Sequence, residues 1–291
     1  MFSLEELFCS VDDFCTLFEP SWKQQLLIQG KCRFRNRRLS LSEIMTIEIA
    51  FHISAYKNFK TFYLELVSCY WRKAFPNLVS YNRFVEWQPS TLIPLMAYLR
   101  SRLGSSTGIG FIDSTSLKVC HNRRIKQHKV FKAIAKRGKT SVDWFYGFKL
   151  HLAINHQGEL LNVALTTGNV DDRKPVKELL KGQYGQFFGD KGYISADLAR
   201  DLRDSNVILV TKFKKKMKNK LMTMLDKQLL RKRAIVESVI EQLKHISQIE
   251  HSRHRSPTNF VVNLLAGLIA YCHRPTKPSI AIDNLILSAS S

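Results

Sequence analysis

Gly185-Gln186-Phe187-Phe188-Gly189-Asp190-Lys191-Gly192-Tyr193 reads as a short apolar strand that ends on a carboxylate set between glycines. An acid at the tip of a buried strand is costly unless something pairs with it, and the usual partners are a cation or a metal ion. Two other acids are candidates to meet Asp190. One is Asp113, in Gly110-Phe111-Ile112-Asp113-Ser114-Thr115, deep in an apolar run where a solvated acid has no reason to sit. The other is Glu237, in Arg233-Ala234-Ile235-Val236-Glu237. Each has a local alternative. Asp113 can cap or hydrogen-bond nearby, Asp190 can be a turn acid, and Glu237 can be a helix-surface acid paired with Arg233.

Around these acids the pattern predicts strands over residues 109–119, 144–155, 160–166, 187–190 and 207–210. His156-Gln157-Gly158-Glu159 forms the turn between the second and third. Asp171-Asp172-Arg173-Lys174-Pro175 is expected to open a helix, with acids in its first turn. A further helix follows over residues 195–204. Three leading strands followed by alternating helix and strand suit an α/β fold, a mixed five-stranded sheet with helices on its faces. That order matches the ribonuclease-H-like fold.

Residues 1–104 read as an all-helical N-terminal region. Leu4, Leu7, Phe8, Val11, Phe14, Cys15 and Phe18 recur at helical spacing, and Pro20 marks an expected break. A basic connector runs from Lys31 to Arg38. Ser40 and Glu43 then form a predicted capping box for a helix through Ile44, Ile47 and Phe51. Another helix is expected through Phe59, Phe62, Tyr63, Leu66 and Tyr70, with a short one from Tyr81. A turn is expected between Pro89 and Pro94, before a last helix through Leu95, Tyr98 and Leu99. Short helices with basic connectors suit a DNA-binding module of helix-turn-helix type, or a bundle that only packs on the core. Gly104-Ser105-Ser106-Thr107-Gly108 is the expected boundary to a second domain over residues 105–275, with a peripheral tail over 276–291.

The chain has 291 residues, 45 Lys and Arg against 24 Asp and Glu, and a formal net charge of +21. Such an excess points to a polyanionic partner, with nucleic acid ahead of an anionic membrane surface. Residues 118–139 hold nine Lys or Arg and are expected to form a long basic loop; Lys212 to Lys220 is a second basic run. No apolar run reaches the roughly 18 residues of a membrane helix. The acids at Glu5, Glu6, Asp12 and Asp13 do not suit a secretory signal. Six scattered cysteines without a CxxC pair read as reduced thiols of an intracellular protein.

Residues 229–246 are predicted to form one amphipathic helix. At about 100° per residue, Arg233 and Lys244 fall within about 40° and 20° of Glu237, on one stripe. Ile235, Val236, Val239, Leu243 and Ile246 lie on the rest of the circumference and are expected to pack on the sheet. Glu241 is about 40° further round and competes with Glu237 for its role. Three carboxylates with cations beside them suit two-metal phosphoryl chemistry. Hard Mg²⁺ ions take carboxylate oxygens, while Arg and Lys hold phosphates without coordinating the metal. His151 reads as a site residue or a packed strand histidine, and Asp172 as a supporting acid or a helix-start acid.

These residues resemble the DDE transposases of bacterial insertion sequences. The acids stand in Phe111-Ile112-Asp113-Ser114-Thr115, in Gly189-Asp190-Lys191-Gly192-Tyr193, and in Arg233-xxx-Glu237-xxxxxx-Lys244. The last is similar to the Y-xx-R-xxx-E-xxxxxx-K signature of the IS4-like superfamily, with Leu230 in the tyrosine's place. Residues 144–151, 168–172, 251–256 and 270–273 resemble the IS982 group in particular. The resemblance implies catalytic and metal-binding roles for Asp113, Asp190 and Glu237, with Mg²⁺ as cofactor and Mn²⁺ able to substitute. It implies cutting at element ends and joining of a 3′-OH to target DNA, by a homodimer on double-stranded DNA in a bacterial cytoplasm. Arg233, Lys244, Lys191, Lys214, Lys215 and Lys216 are the expected DNA contacts. A nuclease or resolvase limited to hydrolysis, and a catalytically dead DNA-binding relative, are the competing readings.

Overall fold

The computed structural model describes residues 3–28, 37–140, 143–212, 222–250 and 254–282. In chain order these form α1 (Leu4–Ile28), α2 (Leu41–Ile53), α3 (Phe59–Thr61), α4 (Tyr81–Trp87) and α5 (Leu92–Arg102). Next come β1 (Ile109–Cys120), β2 (Lys136–Lys139), β3 (Trp144–Asn155), β4 (Leu160–Thr167), α6 (Val176–Leu179), β5 (Gly185–Gly189), α7 (Ala196–Arg203) and β6 (Val207–Thr211). The last helices are α8 (Met224–Lys232), α9 (Ala234–Glu241) and α10 (Pro257–Cys272).

The five expected strands form one sheet in the order β4-β3-β1-β5-β6. β1 and β4 are antiparallel to β3, whereas β5 runs parallel to β1, and β6 parallel to β5. This mixed pattern follows from the connections: a tight turn joins β3 to β4, and helix-bearing crossovers join the parallel strands. At the entry to β5, Gly185 has φ +94, and a Cβ there would collide with the Gly108 carbonyl. That close approach lets Gln186 N donate to Gly108 O at 2.8 Å and sets the β1/β5 register.

One face of the sheet packs an apolar core of Ile112, Ala153, Leu161, Phe187 and Val207 against Val176, Leu179 and Leu202 of α6 and α7. α9 packs against β1, and Ile235, Val236 and Val239 are its buried stripe. The sheet is therefore covered by helices, as the strand-helix alternation requires.

The expected long loop over 118–139 holds more structure than its composition suggested. It carries a 3₁₀ turn, Asn122–Gln127, and the strand β2, which pairs with the start of β3 on the edge that β4 takes further along. The expected helix from Asp171 is reduced to α6. Asp171 Oδ1 accepts from Arg173 N at 2.9 Å, an Asx turn that competes with helical pairing. The single helix expected over 229–246 is three segments, α8, α9 and a π-helical stretch Gln242–Ile246, with Arg233 at the first join. Ile246 is 44% exposed instead of packed on the sheet.

The described parts of the chain divide into two units. One comprises Met1–Arg102, Leu243–Ile249 and His254–Pro275; the other comprises Leu103–Gln242, Glu250–Arg253 and Thr276–Ser291. α10 thus groups with the N-terminal helices, which a linear division at residue 104 does not capture. The helix is apolar all round and packs on α2 and α5. In this unit the Ser40/Glu43 capping box forms as expected. α1 passes through Pro20 without a break: Pro20 and Thr16 are exposed, so the carbonyl that loses its partner faces water. Stacking of Phe14 on Phe18 and of Phe18 on Trp22 spans the proline. After α3 the chain turns π-helical over Phe62–Val67, where Ser68 gives both its N–H and its hydroxyl to Tyr63 O. Pro94 lies in the first turn of α5, where no backbone donor is needed.

Candidate active site

Asp113 lies in the middle of β1, and β1 lies between β3 and β5. Arg233 sits at the join of α8 and α9 and reaches two acids at once. Its Nη1 donates to Asp113 Oδ2 and its Nη2 to Glu237 Oε1, each at 2.9 Å. The first pair spans 120 positions of chain; the second is an i,i+4 pair on α9. The guanidinium and Asp113 are mostly buried, while Glu237 is 58% exposed. Asp113 Oδ1 also accepts from Ser114 N at 2.8 Å. Burial pushes the Asp113 carboxyl pKa up, and the negative charge of Glu237 adds to that; Arg233 and the Ser114 N–H oppose it.

Asp190 follows β5 directly and is exposed. Its carbonyl accepts from Tyr193 N at 3.0 Å, closing the turn Lys191–Tyr193. The last β1/β5 pair is Phe111 with Phe188, so Asp113 and Asp190 stand two residues beyond it on adjacent strands. Neighbouring strands run about 4.8 Å apart. No hydrogen bond or ion pair among the described residues joins the Asp190 carboxylate to the other two acids. Nor do three or more His, Cys, Asp or Glu among the described residues form a cluster set to hold a metal ion. The structure therefore brings Asp113 and Glu237 onto one cation and leaves Asp190 at the neighbouring strand end.

The donor set suits a hard divalent ion in kind, since all three are carboxylates. The Arg233 guanidinium shows that the space between Asp113 and Glu237 accommodates positive charge.

A second polar group lies next to this centre on the opposite face of β1, since Ser114 pairs with His151 whereas Asp113 pairs with Leu152, and it was not foreseen as a unit. Tyr193, buried, hydrogen-bonds Ser114 and senses the charges of Asp113 and Asp172; burial raises its hydroxyl pKa. Lys149 pairs with Asp172 at 2.9 Å and donates to Val170 O at 2.9 Å. Asp172 is thus tied to β3 and does not act as a helix-start acid. His151, buried, bonds Thr166 through Nε2 at 2.8 Å, while its Nδ1 has no partner among the described residues. Burial pulls its pKa down to about 4, which keeps the ring neutral. Lys149 and His151, alternating in a strand otherwise apolar, were the available sign that this face is polar.

Of the expected DNA contacts, Arg233 is held by the two acids, Lys191 is exposed and Lys244 is half-buried. Lys244 lies in the π-helical stretch, where 100° per residue no longer applies, so the straight extrapolation from Glu237 does not reach it. Lys214, Lys215 and Lys216 lie outside the described residues. Leu230, in the place of the signature's tyrosine, is buried.

The sequence pattern of a family described as Transposase DDE domain matches residues 103–257. That stretch is more than half of the chain, and the chain belongs to this family. No curated protein matches it. Among solved structures it is similar to a piggyBac transposase in a synaptic complex with hairpin DNA, determined by cryo-electron microscopy. The similarity has a TM-score of 0.47 at 11% identity and covers 91% of this chain and 75% of that one. No helix among the described residues is long and apolar enough to cross a membrane.

Proposed function

We propose that this protein is a transposase of the IS982 kind. It cleaves DNA at the ends of an insertion sequence and joins the freed 3′-OH to target DNA. One observation carries the reading: two acids far apart in sequence, Asp113 and Glu237, converge on the single guanidinium of Arg233 beside the central strand. Family membership supports it, as does the position of Asp190 at the end of the adjacent parallel strand.

Asp113, Asp190 and Glu237 are the residues that would hold Mg²⁺, or Mn²⁺ in its place. Such ions steady the attacking and leaving oxygens of an in-line displacement. Arg233, whose charge they would replace between the acids, then serves to hold a DNA phosphate, with Lys191 and Lys244 as further phosphate contacts. Tyr193 and Ser114 position the strand that carries Asp113.

The N-terminal helices are assigned to DNA contact as well. A recess of about 370 Å³ there gathers Arg37, Arg38 and Arg83 beside Trp87. Work on two element ends calls for two copies of the chain, and a DNA substrate places the protein in the bacterial cytoplasm, at the nucleoid.

The test is strand cleavage of an end-containing duplex in Mg²⁺. Asp113→Asn should abolish cleavage while DNA binding persists; unaltered cleavage would refute the assignment. Joining to a target duplex separates transposition from hydrolysis alone.

A further inference from the structure

Trp144 opens β3 and is 45% exposed, while the next two residues, Phe145 and Tyr146, are buried. Two cations of the adjacent strand approach its ring. The Arg137 guanidinium carbon is 4.9 Å from the ring centroid and Lys139 Nζ is 5.7 Å from it. Lys139 is the register partner of Trp144 across the β2/β3 ladder. The backbone beneath the indole is fixed at both polar atoms: Asn122 Nδ2 donates to Trp144 O at 2.6 Å, and Trp144 N donates to Asp143 Oδ1 at 2.7 Å.

Apart from Asp143, which is engaged at the Trp144 N–H, the sequence leading up to the ring carries one sign of charge. Lys118, Arg123, Arg124, Lys126, Lys129 and Lys132 lead up to β2, which adds Lys136, Arg137 and Lys139; all nine are exposed. None forms an ion pair among the described residues, and no acid occurs in residues 118–139.

An exposed indole beside unneutralised cations matches one ligand chemistry. Cations hold a phosphate backbone, and the ring offers a stacking partner to a base. A paired base inside a duplex has no face to give, whereas an unpaired base has. We propose that Trp144, with Arg137 and Lys139, is a stacking platform for an unpaired nucleotide of the DNA substrate. This rests on the reading of the protein as a DNA-processing enzyme and adds a contact that the carboxylates do not supply.

The experiment is fluorescence anisotropy with the full chain at fixed salt, on a blunt duplex, the same duplex with a single-stranded extension, and oligothymidine. Trp144→Ala should weaken binding of both probes with unpaired bases about tenfold and change the blunt duplex less than about twofold. Trp144→Leu keeps an apolar side chain for the fold but has no ring, and should behave as the alanine variant does. Trp144→Phe should retain affinity within about threefold of the wild type. Changing Arg137 and Lys139 together to Gln should weaken all three probes and flatten the salt dependence. Equal losses on blunt and extended DNA, or no loss on either, would overturn the platform while leaving the Asp113 result untouched. A wild-type chain that binds none of the probes would overturn both readings.

Discussion

Arg233 Nη1 lies 2.9 Å from Asp113 Oδ2, tying the join between α8 and α9 to the middle of β1. Arg233→Ala removes the guanidinium shared by Asp113 and Glu237 and strands a largely buried carboxylate. The expected cost is about 2 kcal/mol in thermal unfolding without divalent ions, since breaking a desolvated pair exposes the full penalty of the remaining charge. Mg²⁺ should then raise the melting midpoint of the variant more than that of the wild type, because a metal supplies the missing charge. Identical Mg²⁺ responses would argue against a cation site between these acids.

Glu237 and Glu241 compete for the third acid on spacing alone, and only Glu237 bonds Arg233. Glu237→Gln should reduce strand cleavage by at least about a hundredfold, on the scale of removing a group that stabilises transition-state charge. Glu241→Gln should stay within about twofold, as a change at an exposed position does. The measurement is the single-turnover cleavage rate on one end-containing duplex. A reversed ranking would move the third acid to Glu241.

The sheet was legible because each of its five main strands is an apolar or alternating run bounded by turn residues, from Ile109 to Thr211. The Arg233–Glu237 pair was legible because i,i+4 spacing survives in α9. Features set by alternative hydrogen bonds were not. Ser68 feeding Tyr63 O, and Asp171 capturing Arg173 N, divert the backbone from the α pattern that apolar spacing suggests. β2 was hidden because its residues, Lys136, Arg137, Gly138 and Lys139, have no apolar alternation; pairing with β3 alone makes it a strand. The group around Tyr193 joins β1, β3 and the turn after β5. Only the folded register shows that Ser114 and His151 are opposite one another.

Pro20 sits inside α1, where it removes a backbone bond to the exposed Thr16 carbonyl. Pro20→Ala restores that bond at a solvent-facing site with no packing to disturb. It should stabilise the protein by about 1–3 kcal/mol, up to the helix-interior cost of proline. Urea unfolding followed by circular dichroism measures this. A destabilised variant would mean that the proline sets a bend on which the packing of Leu7, Val11 and Cys15 depends.

Glu48 is buried in α2, with Oε2 accepting from Thr91 Oγ1 at 2.8 Å and Oε1 buried without a partner among the described residues. Burial raises its pKa well above the ordinary carboxylate range, against the opposing effect of the Thr91 bond. The folded state therefore holds the proton more tightly than the unfolded chain. The stabilisation from that proton is complete below the unfolded pKa of about 4.3 and is lost as pH rises through the folded value. Glu48→Gln keeps the shape and the acceptor for Thr91 but cannot ionise. The variant should match the wild type near pH 4 and exceed it by about 1–3 kcal/mol at pH 8, the range for an unpaired buried polar group. Chemical denaturation of both proteins at the two pH values decides the matter. A difference that does not change with pH would show that Glu48 holds its charge inside the helical unit.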